Sequence, residues 1–346
     1  MAHQDVTAVL DVRAEPGQPV RYDVPERVGA DTLAGWLREH RATLRATLRR
    51  HGHLLVRGLP IGGTAEFATV RDIVADRPAE HAREETTARS AYGDGVFSAT
   101  DLPAPQTIRL HNEDSYSVVF PGLLLFACLT AAGEGGATTL GDMRRVLAVL
   151  PPELVDRFRS RGWLVTRTFQ EHFGISWQRA FGTDQRAGVE DYCRRSEIGW
   201  EWLPDGRLRT TALRSATLRH PETREETWFN HVAVFNEWTH DPQTRELLIA
   251  AVGADGLPQN TFYGDGTPID PADVAALNRA YDEATVAVRW RPGDLLLVDN
   301  LLCSHGREPY RGDRKVLVAM GDPLSVVDCA PSGPIGPHPA EAEEDR

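Results

Sequence analysis

Three side chains of this sequence are of the types that together bind a catalytic metal ion. His111 and Glu113 lie two positions apart in the segment LHNEDSY, and His305 follows much later in the segment CSHGR. On a β-strand, side chains two positions apart point to the same face, so His111 and Glu113 could reach one ion. Two imidazoles and one carboxylate leave three octahedral positions open, as in non-haem iron oxygenases, whereas a structural zinc site is closed and usually contains cysteines.

Several segments around these residues occur in the same order as the motifs of one known family. A His-X-Glu tripeptide alone is a weak signal, since many such pairs are ordinary polar residues. The segment from Trp290 to Met320 resembles the C-terminal core of the taurine dioxygenase (TauD/TfdA) family, most closely its clavaminate-synthase-like and SyrP-like branch. The resemblance covers about residues 30–320, with a poor match between about 170 and 225. The other segments that carry it are GHLLVRGL at 52–59, LHNEDSY at 110–116, PGLLLFAC at 121–128, GGAT at 135–138 and FYGDGTPI at 262–269.

The resemblance implies a cofactor set and the residues that bind it. The two histidines and the glutamate would bind Fe(II), with 2-oxoglutarate as cosubstrate and O2 as oxidant. Arg314 would pair with the distal carboxylate of 2-oxoglutarate, which suits the planar fork of a guanidinium. Thr138 matches the threonine whose hydroxyl helps to hold the same cosubstrate. Arg307 is the competitor of Arg314, and Thr139 is the alternative to Thr138.

The same resemblance narrows the reaction. Relatives that halogenate have a small residue in place of the carboxylate ligand, so Glu113 argues against halogenation. The prediction is a hydroxylase that acts on an unactivated C–H bond in a biosynthetic pathway and releases succinate and CO2. Desaturation, epoxidation and cyclisation by the same site are alternatives, as is a zinc-dependent hydrolase with the same ligands. A non-catalytic jelly-roll binding protein is disfavoured because the ligand set is intact.

The resemblance implies a small-molecule substrate that is amino-acid-like and either free or bound to a carrier protein. Ser115 and Tyr116 follow the first two ligands and could point into the pocket. Asn230 and His231 lie in a segment that is also similar to the family. Arg311 could meet a carboxylate of the substrate. These five residues are the candidates for substrate binding.

Composition limits the other partners. The 346 residues carry 38 basic and 50 acidic side chains, a net charge of −12, which disfavours nucleic-acid and membrane-surface binding. No apolar run approaches a membrane span, and the N-terminus lacks the features of a signal peptide. The four cysteines show no framework spacing and are expected to be reduced, which predicts a cytoplasmic protein. The oligomeric state is left open.

Local patterns predict the elements that must position the ligands. Residues 107–110 are expected to form a strand leading into His111, and residues 122–129 a strand buried on both faces. A helix is expected up to about Arg50, ending at Gly52, and another begins after Asp142.

Short strands cluster at both ends of the second half of the chain, with helices outside them. This pattern predicts a mainly β protein with flanking helices around a double-stranded β-helix (jelly-roll) core. We expect one oxygenase domain over residues 1–330, with an insert or lid at about 170–260, and a fraying tail at 331–346.

Overall fold

The computed structural model describes residues 10–25, 28–79, 84, 86, 89–170 and 174–337. Residues 338–346 of the predicted tail lie outside these ranges, so its expected fraying stays a prediction. Within the described residues, no helix is both long and apolar enough to cross a membrane. The α-helices in these ranges are α1 (Leu33–His51), α2 (Thr64–Val74), α3 (Met143–Val149), α4 (Pro152–Arg161), α5 (Trp177–Phe181), α6 (Arg186–Arg195), α7 (Val232–Phe235), α8 (Pro242–Val252) and α9 (Pro271–Ala284).

The β-strands form two main sheets, an additional sheet in the middle of the chain and two short ribbons. Almost all neighbouring strands are antiparallel. The strands are β1 (Arg21–Asp23), β2 (His53–Arg57), β3 (Phe97–Ser98), β4 (Ile108–His111), β5 (Val119–Thr130), β6 (Glu134–Gly135), β7 (Thr138–Asp142), β8 (Trp163–Phe169), β9 (Gly199–Trp202), β10 (Leu208–Arg214), β11 (Thr217–Arg219), β12 (Glu226–Trp228), β13 (Gln259–Tyr263), β14 (Thr285–Val288), β15 (Leu295–Asp299), β16 (Cys303–Arg307), β17 (Tyr310–Arg311) and β18 (Lys315–Ser325).

Two sheets enclose the central core. The larger sheet has the order β1-β2-β15-β5-β18-β3, and only its β1–β2 pair is parallel. The smaller sheet has the order β14-β7-β16-β4 and is antiparallel throughout. Phe126 and Leu296 from the larger sheet share one apolar cluster with Leu140 and Val288 from the smaller one. This pair of facing sheets confirms the predicted jelly-roll core with flanking helices.

The outer face of the larger sheet is covered by α1 and α2. Side chains alternate along its central strand β5, so Leu125 faces the helices while Phe126 faces the other sheet. The strand is therefore apolar at almost every position, as the segment 122–129 predicts. Helix α1 ends where Gly52 adopts a left-handed conformation with a φ of 77°, which glycine reaches without strain.

The middle of the chain adds a third layer beside the core. Its sheet has the order β13-β8-β10-β9, and β8 pairs with both β10 and β13. Trp163 and Trp228 are fully buried in a cluster that joins this sheet to α3, α4 and α9. The predicted insert at about 170–260 falls largely on this layer, and its role as a lid stays a prediction.

Candidate active site

The three predicted ligands converge at one point of the smaller sheet. His111 on β4 lies directly opposite His305 on the neighbouring strand β16. The Nε2 atoms of His111 and His305 are 3.9 and 3.5 Å from Oε2 of Glu113. One ligand atom from each of the three residues lies within 4.8 Å of the others. Two imidazole nitrogens and one carboxylate oxygen at this spacing fit a facial iron site.

Glu113 reaches this point from a turn, not from a strand. Strand β4 ends at His111, so the expectation that His111 and Glu113 lie two positions apart on one strand is wrong. Asp114 has a φ of 52°, a left-handed conformation that aspartate tolerates, and it turns the chain away from the sheet. The geometry of the pair comes instead from Asn300, which accepts a hydrogen bond from the backbone N–H of Glu113 at 2.8 Å and donates one to its carbonyl at 2.9 Å.

The environment keeps His111 neutral. Burial, followed by the neighbouring His305, lowers the pKa of His111 to about 4. Its Nδ1 lies 2.9 Å from the carbonyl oxygen of Arg109, to which the neutral ring donates its proton. The lone pair of Nε2 is therefore directed at Glu113 and available to a metal ion.

Glu113 is a buried carboxylate with a basic neighbour. Burial alone would raise its pKa, but Arg89 and the two histidines hold the pKa well below its usual value. The guanidinium of Arg89 donates from Nη2 to Oε1 and Oε2 of Glu113 at 2.8 and 2.9 Å. The carboxylate is thus ionised, as a metal ligand must be. Arg89 was not predicted, because it lies in a polar segment that carries no motif.

A cavity of about 450 Å³ opens onto the three ligands. Thr138 on β7 and Arg314 both line it. Nη2 of Arg314 lies 3.5 Å from Oγ1 of Thr138, and Trp290 donates to the same oxygen at 3.0 Å. Thr139, the alternative, is not among the residues that line this cavity. A threonine hydroxyl beside a guanidinium is suited to one end of a dicarboxylate.

Arg307 also borders the cavity, but its guanidinium is already engaged. It donates to the backbone carbonyls of Leu102, Pro103 and Gln106 at 3.1, 2.8 and 3.0 Å. These bonds tie the loop before β4 to β16. Arg307 is thus held by backbone carbonyls of a loop, whereas Arg314 lies beside Thr138 in the wall of the cavity.

Two of the five substrate candidates line the cavity. Tyr116 and His231 lie edge to face, with ring centroids 5.1 Å apart. Burial, followed by the neighbouring His111, holds the pKa of His231 well below its usual value, so its ring is neutral. Ser115 lies behind His231, with Oγ 2.6 Å from Nδ1. If the hydroxyl donates this bond, the ring presents an Nε2–H to the cavity.

The structure does not bring the other two candidates to the cavity. Asn230 is fully buried, donates to the carbonyl of Ala216 and accepts from the backbone of Val232. Arg311 on β17 has a side chain that is 85% exposed and lies 3.6 Å from Glu134. Asn230 is thus engaged in hydrogen bonds of a turn and Arg311 lies at the surface, so the structure does not support the expected contact of either residue with the substrate.

Comparison with known proteins agrees with this geometry. The family described as "Taurine catabolism dioxygenase TauD, TfdA family" matches residues 16–320. Dapdiamide synthesis protein DdaC of Enterobacter agglomerans is 39% identical over 84% of this chain and 87% of its own length. Clavaminate synthase 2 of Streptomyces clavuligerus is 48% identical, with 81% of this chain and 77% of that protein covered.

A solved structure supports the same fold. An asparagine oxygenase in complex with Fe(II), 3-hydroxyasparagine and succinate has a TM-score of 0.50 and 16% identity, over 87% of this chain and 93% of its own. The family match extends over most of the residues that form both main sheets and all three candidate ligands. The chain belongs to the TauD/TfdA family and is an Fe(II)- and 2-oxoglutarate-dependent oxygenase of a small-molecule substrate.

Proposed function

We propose that this oxygenase hydroxylates an unactivated C–H bond of an amino-acid-like substrate in a biosynthetic pathway. The observation that carries the proposal is the convergence of His111, Glu113 and His305 at a cavity that also contains Arg314 and Thr138. DdaC and clavaminate synthase are named for syntheses, which supports a biosynthetic setting. The proposal includes a free or carrier-bound substrate in the cytoplasm, and it makes no choice of oligomeric state.

In this proposal the three ligands hold Fe(II) and leave half of its coordination sphere to small molecules. Bound Fe(II) supplies the chemistry that couples O2 and 2-oxoglutarate to substrate oxidation, with succinate and CO2 as the other products. The protein contributes by fixing the ligands before the cosubstrate arrives. Asn300 holds the backbone of Glu113, and the pairing of β4 with β16 fixes the two histidines.

The cosubstrate and the substrate are assigned different walls of the cavity. Arg314 meets the distal carboxylate of 2-oxoglutarate, and Thr138 orients that guanidinium. Tyr116 and His231 line the space left for the substrate, and the hydroxyl of Tyr116 is held by a hydrogen bond to Oδ1 of Asp114 at 3.1 Å. Phe126, whose ring lies 5.3 Å from that of His305, keeps one side of the ligand set apolar and limits access of water.

Turnover of 2-oxoglutarate tests the proposal. The full chain is incubated with Fe(II), 2-oxoglutarate and candidate amino acids, and succinate and hydroxylated product are measured. We expect His111→Ala to remove at least about 99% of the succinate formed, because one of three ligands is lost. His40→Ala, the same substitution on the partly exposed surface of α1, is the control and should keep full activity. Full activity in His111→Ala would overturn the ligand assignment, and activity with zinc in the absence of O2 would overturn the oxidation.

A further inference from the structure

A second guanidinium lies inside the cavity, beside the candidate metal ligands. The side chain of Arg89 is only 9% exposed, and its residue lines the cavity. Its Nη2 donates to both carboxylate oxygens of Glu113. Its Nη1 is buried and, as far as the chain is described, has no hydrogen-bond partner. A buried, charged donor without a partner is rare in folded proteins, because it loses its hydration without compensation.

With a metal ion at Oε2, the contact with Glu113 would only partly neutralise Arg89, which would keep its bond to Oε1. Oε2 of Glu113 is the atom that faces Nε2 of both His111 and His305, so a metal ion there shares the charge of this carboxylate. Arg89 would then be a buried cation next to a divalent cation. Leaving a buried charge without a counter-ion is strongly unfavourable, so the arrangement favours a second anion in the cavity.

The other arginines of the cavity have assigned or visible partners. Arg307 is bound by three backbone carbonyls, and Arg314 is assigned to 2-oxoglutarate. Arg109 lies at an exposed position and donates to the carbonyl of Thr239 at 3.2 Å. The buried Nε of Arg307 also has no hydrogen-bond partner, but both of its terminal nitrogens are bound by carbonyls. Among the cavity-lining arginines in the described residues, Arg89 alone has a buried terminal nitrogen without a partner, so it is best placed to receive an anion.

We propose that Arg89 binds a carboxylate of the substrate. The planar guanidinium keeps its Nη2 near Glu113 and presents Nη1 to the incoming carboxylate. This inference rests on the proposed function and deepens it: the substrate class becomes amino-acid-like molecules with a free carboxylate. The carboxylate then neutralises the cation, and the rest of the substrate lies along the walls formed by Tyr116 and His231.

The other source of a carboxylate is the C1 group of 2-oxoglutarate. Its two carboxylates already have cations, since the metal takes C1 and Arg314 takes the distal group in the proposed arrangement. Arg314 contacts Gly136 and Thr138, whereas the hydrogen bonds of Arg89 go to Glu113, so the two guanidiniums share no partner. We therefore assign Arg89 to the substrate and make the cosubstrate an outcome of the test.

The test uses binding, so that it does not depend on turnover. The full chain is loaded with Fe(II) and 2-oxoglutarate without O2, and the visible absorption band of this complex is followed. The probes are the common L-amino acids and the carboxamides of the same amino acids. We expect at least one acid to perturb the band with a Kd at least about tenfold lower than that of its amide. In Arg89→Gln the Kd of the acid should rise to that of the amide, while the Kd of the amide should not change.

Two further variants control for charge. Arg219→Gln removes the same charge at an exposed position outside the cavity, from an arginine that donates to the carbonyl of Arg224, and it should keep the preference for the acid. Arg89→Lys keeps the charge without the planar fork, and it should restore part of the preference.

The outcomes separate this inference from the proposed function. Equal binding of acid and amide, binding of no acid, or an unchanged preference in Arg89→Gln would each overturn the role of Arg89 in substrate binding. Weaker binding of 2-oxoglutarate in Arg89→Gln, or loss of the band, would assign Arg89 to the cosubstrate or the iron instead. If the wild-type protein forms no band, the proposed function itself fails.

Discussion

At the scale of single residues, Arg307 and Arg314 differ most clearly in the partners of their guanidinium groups. Arg314 shares a cavity wall with Thr138, whereas Arg307 donates to three backbone carbonyls. We expect Arg314→Gln to raise the KM for 2-oxoglutarate by about 10- to 100-fold, because a charge-assisted hydrogen bond contributes about 1.5–3 kcal/mol. Steady-state kinetics with varied 2-oxoglutarate measure this effect.

Arg307→Gln is the matched variant, with the same charge change two residues after His305. We expect it to lower the melting temperature and to leave the KM for 2-oxoglutarate within about twofold, because its partners are carbonyls of a loop. The reverse result, a raised KM in Arg307→Gln and none in Arg314→Gln, would exchange the two assignments.

The residues that could be predicted are those whose chemistry is visible in their type and local motif. His111, Glu113 and His305 belong to such motifs, and the structure brings them together. Asn300 and Arg89 could not be predicted, because an asparagine or an arginine acquires its role only from distant residues. Asn300, for example, contacts Glu113 from the opposite half of the chain.

At the scale of elements, the segment between β15 and β16 holds the turn that carries Glu113. Asn300 bonds both backbone polar groups of Glu113 and also the carbonyl of Pro121. In Asn300→Ala one backbone N–H and two carbonyls each lose a partner, at about 1–3 kcal/mol each. We expect a loss of about 10- to 100-fold in Fe(II) affinity, measured by competition with a chelator.

Two other variants define this effect. Asn300→Asp keeps the acceptor and loses the donor, so its affinity for Fe(II) should lie between those of the wild type and Asn300→Ala. Asn278→Ala removes a partly buried amide on α9 whose contact with Thr239 is a long one of 3.3 Å, and it should leave Fe(II) binding unchanged. If Asn300→Ala binds Fe(II) as tightly as the wild type, the hydrogen bonds of Asn300 to the backbone of Glu113 do not hold this ligand in place.

The elements themselves were largely predictable, but their pairing was not. The apolar run 122–129 lies within β5, and Asp142 accepts hydrogen bonds from the first turn of α3, as the local sequence indicates. The prediction that Glu113 lies on a strand is wrong, because nothing in the local sequence indicates that Asp114 adopts a left-handed conformation and starts a turn. In the middle of the chain, the pairing of β8 with β13 joins segments far apart in sequence, which no periodicity can indicate.

At the scale of the whole molecule, the protein buries ionisable groups in the layers that support the site. His53 on β2 is one of these, with 8% exposure and Nε2 accepting the backbone N–H of Val20 at 3.1 Å. Burial lowers its pKa from 6.5 to about 4. Such a histidine makes the free energy of unfolding depend on pH, because the unfolded chain binds a proton on this side chain more readily than the folded protein does.

The direction of this effect follows from the two states of His53. Between pH 6.5 and about 4 the unfolded chain binds a proton that the folded protein does not. The free energy of unfolding therefore falls as the pH falls through this window, by up to about 3 kcal/mol from this residue. We expect His53→Gln to be less stable at neutral pH but to lose less stability on acidification.

Urea unfolding of the wild type and the variant, from neutral pH down to about pH 4, measures this difference. Comparison of the two slopes removes the contribution of carboxylates, which lose stability in acid in both proteins. His40→Gln on the partly exposed side of α1 is the matched control and should run parallel to the wild type. If His53→Gln also runs parallel, the protonation of His53 is not linked to unfolding, and the acid sensitivity of the fold must come from other buried groups.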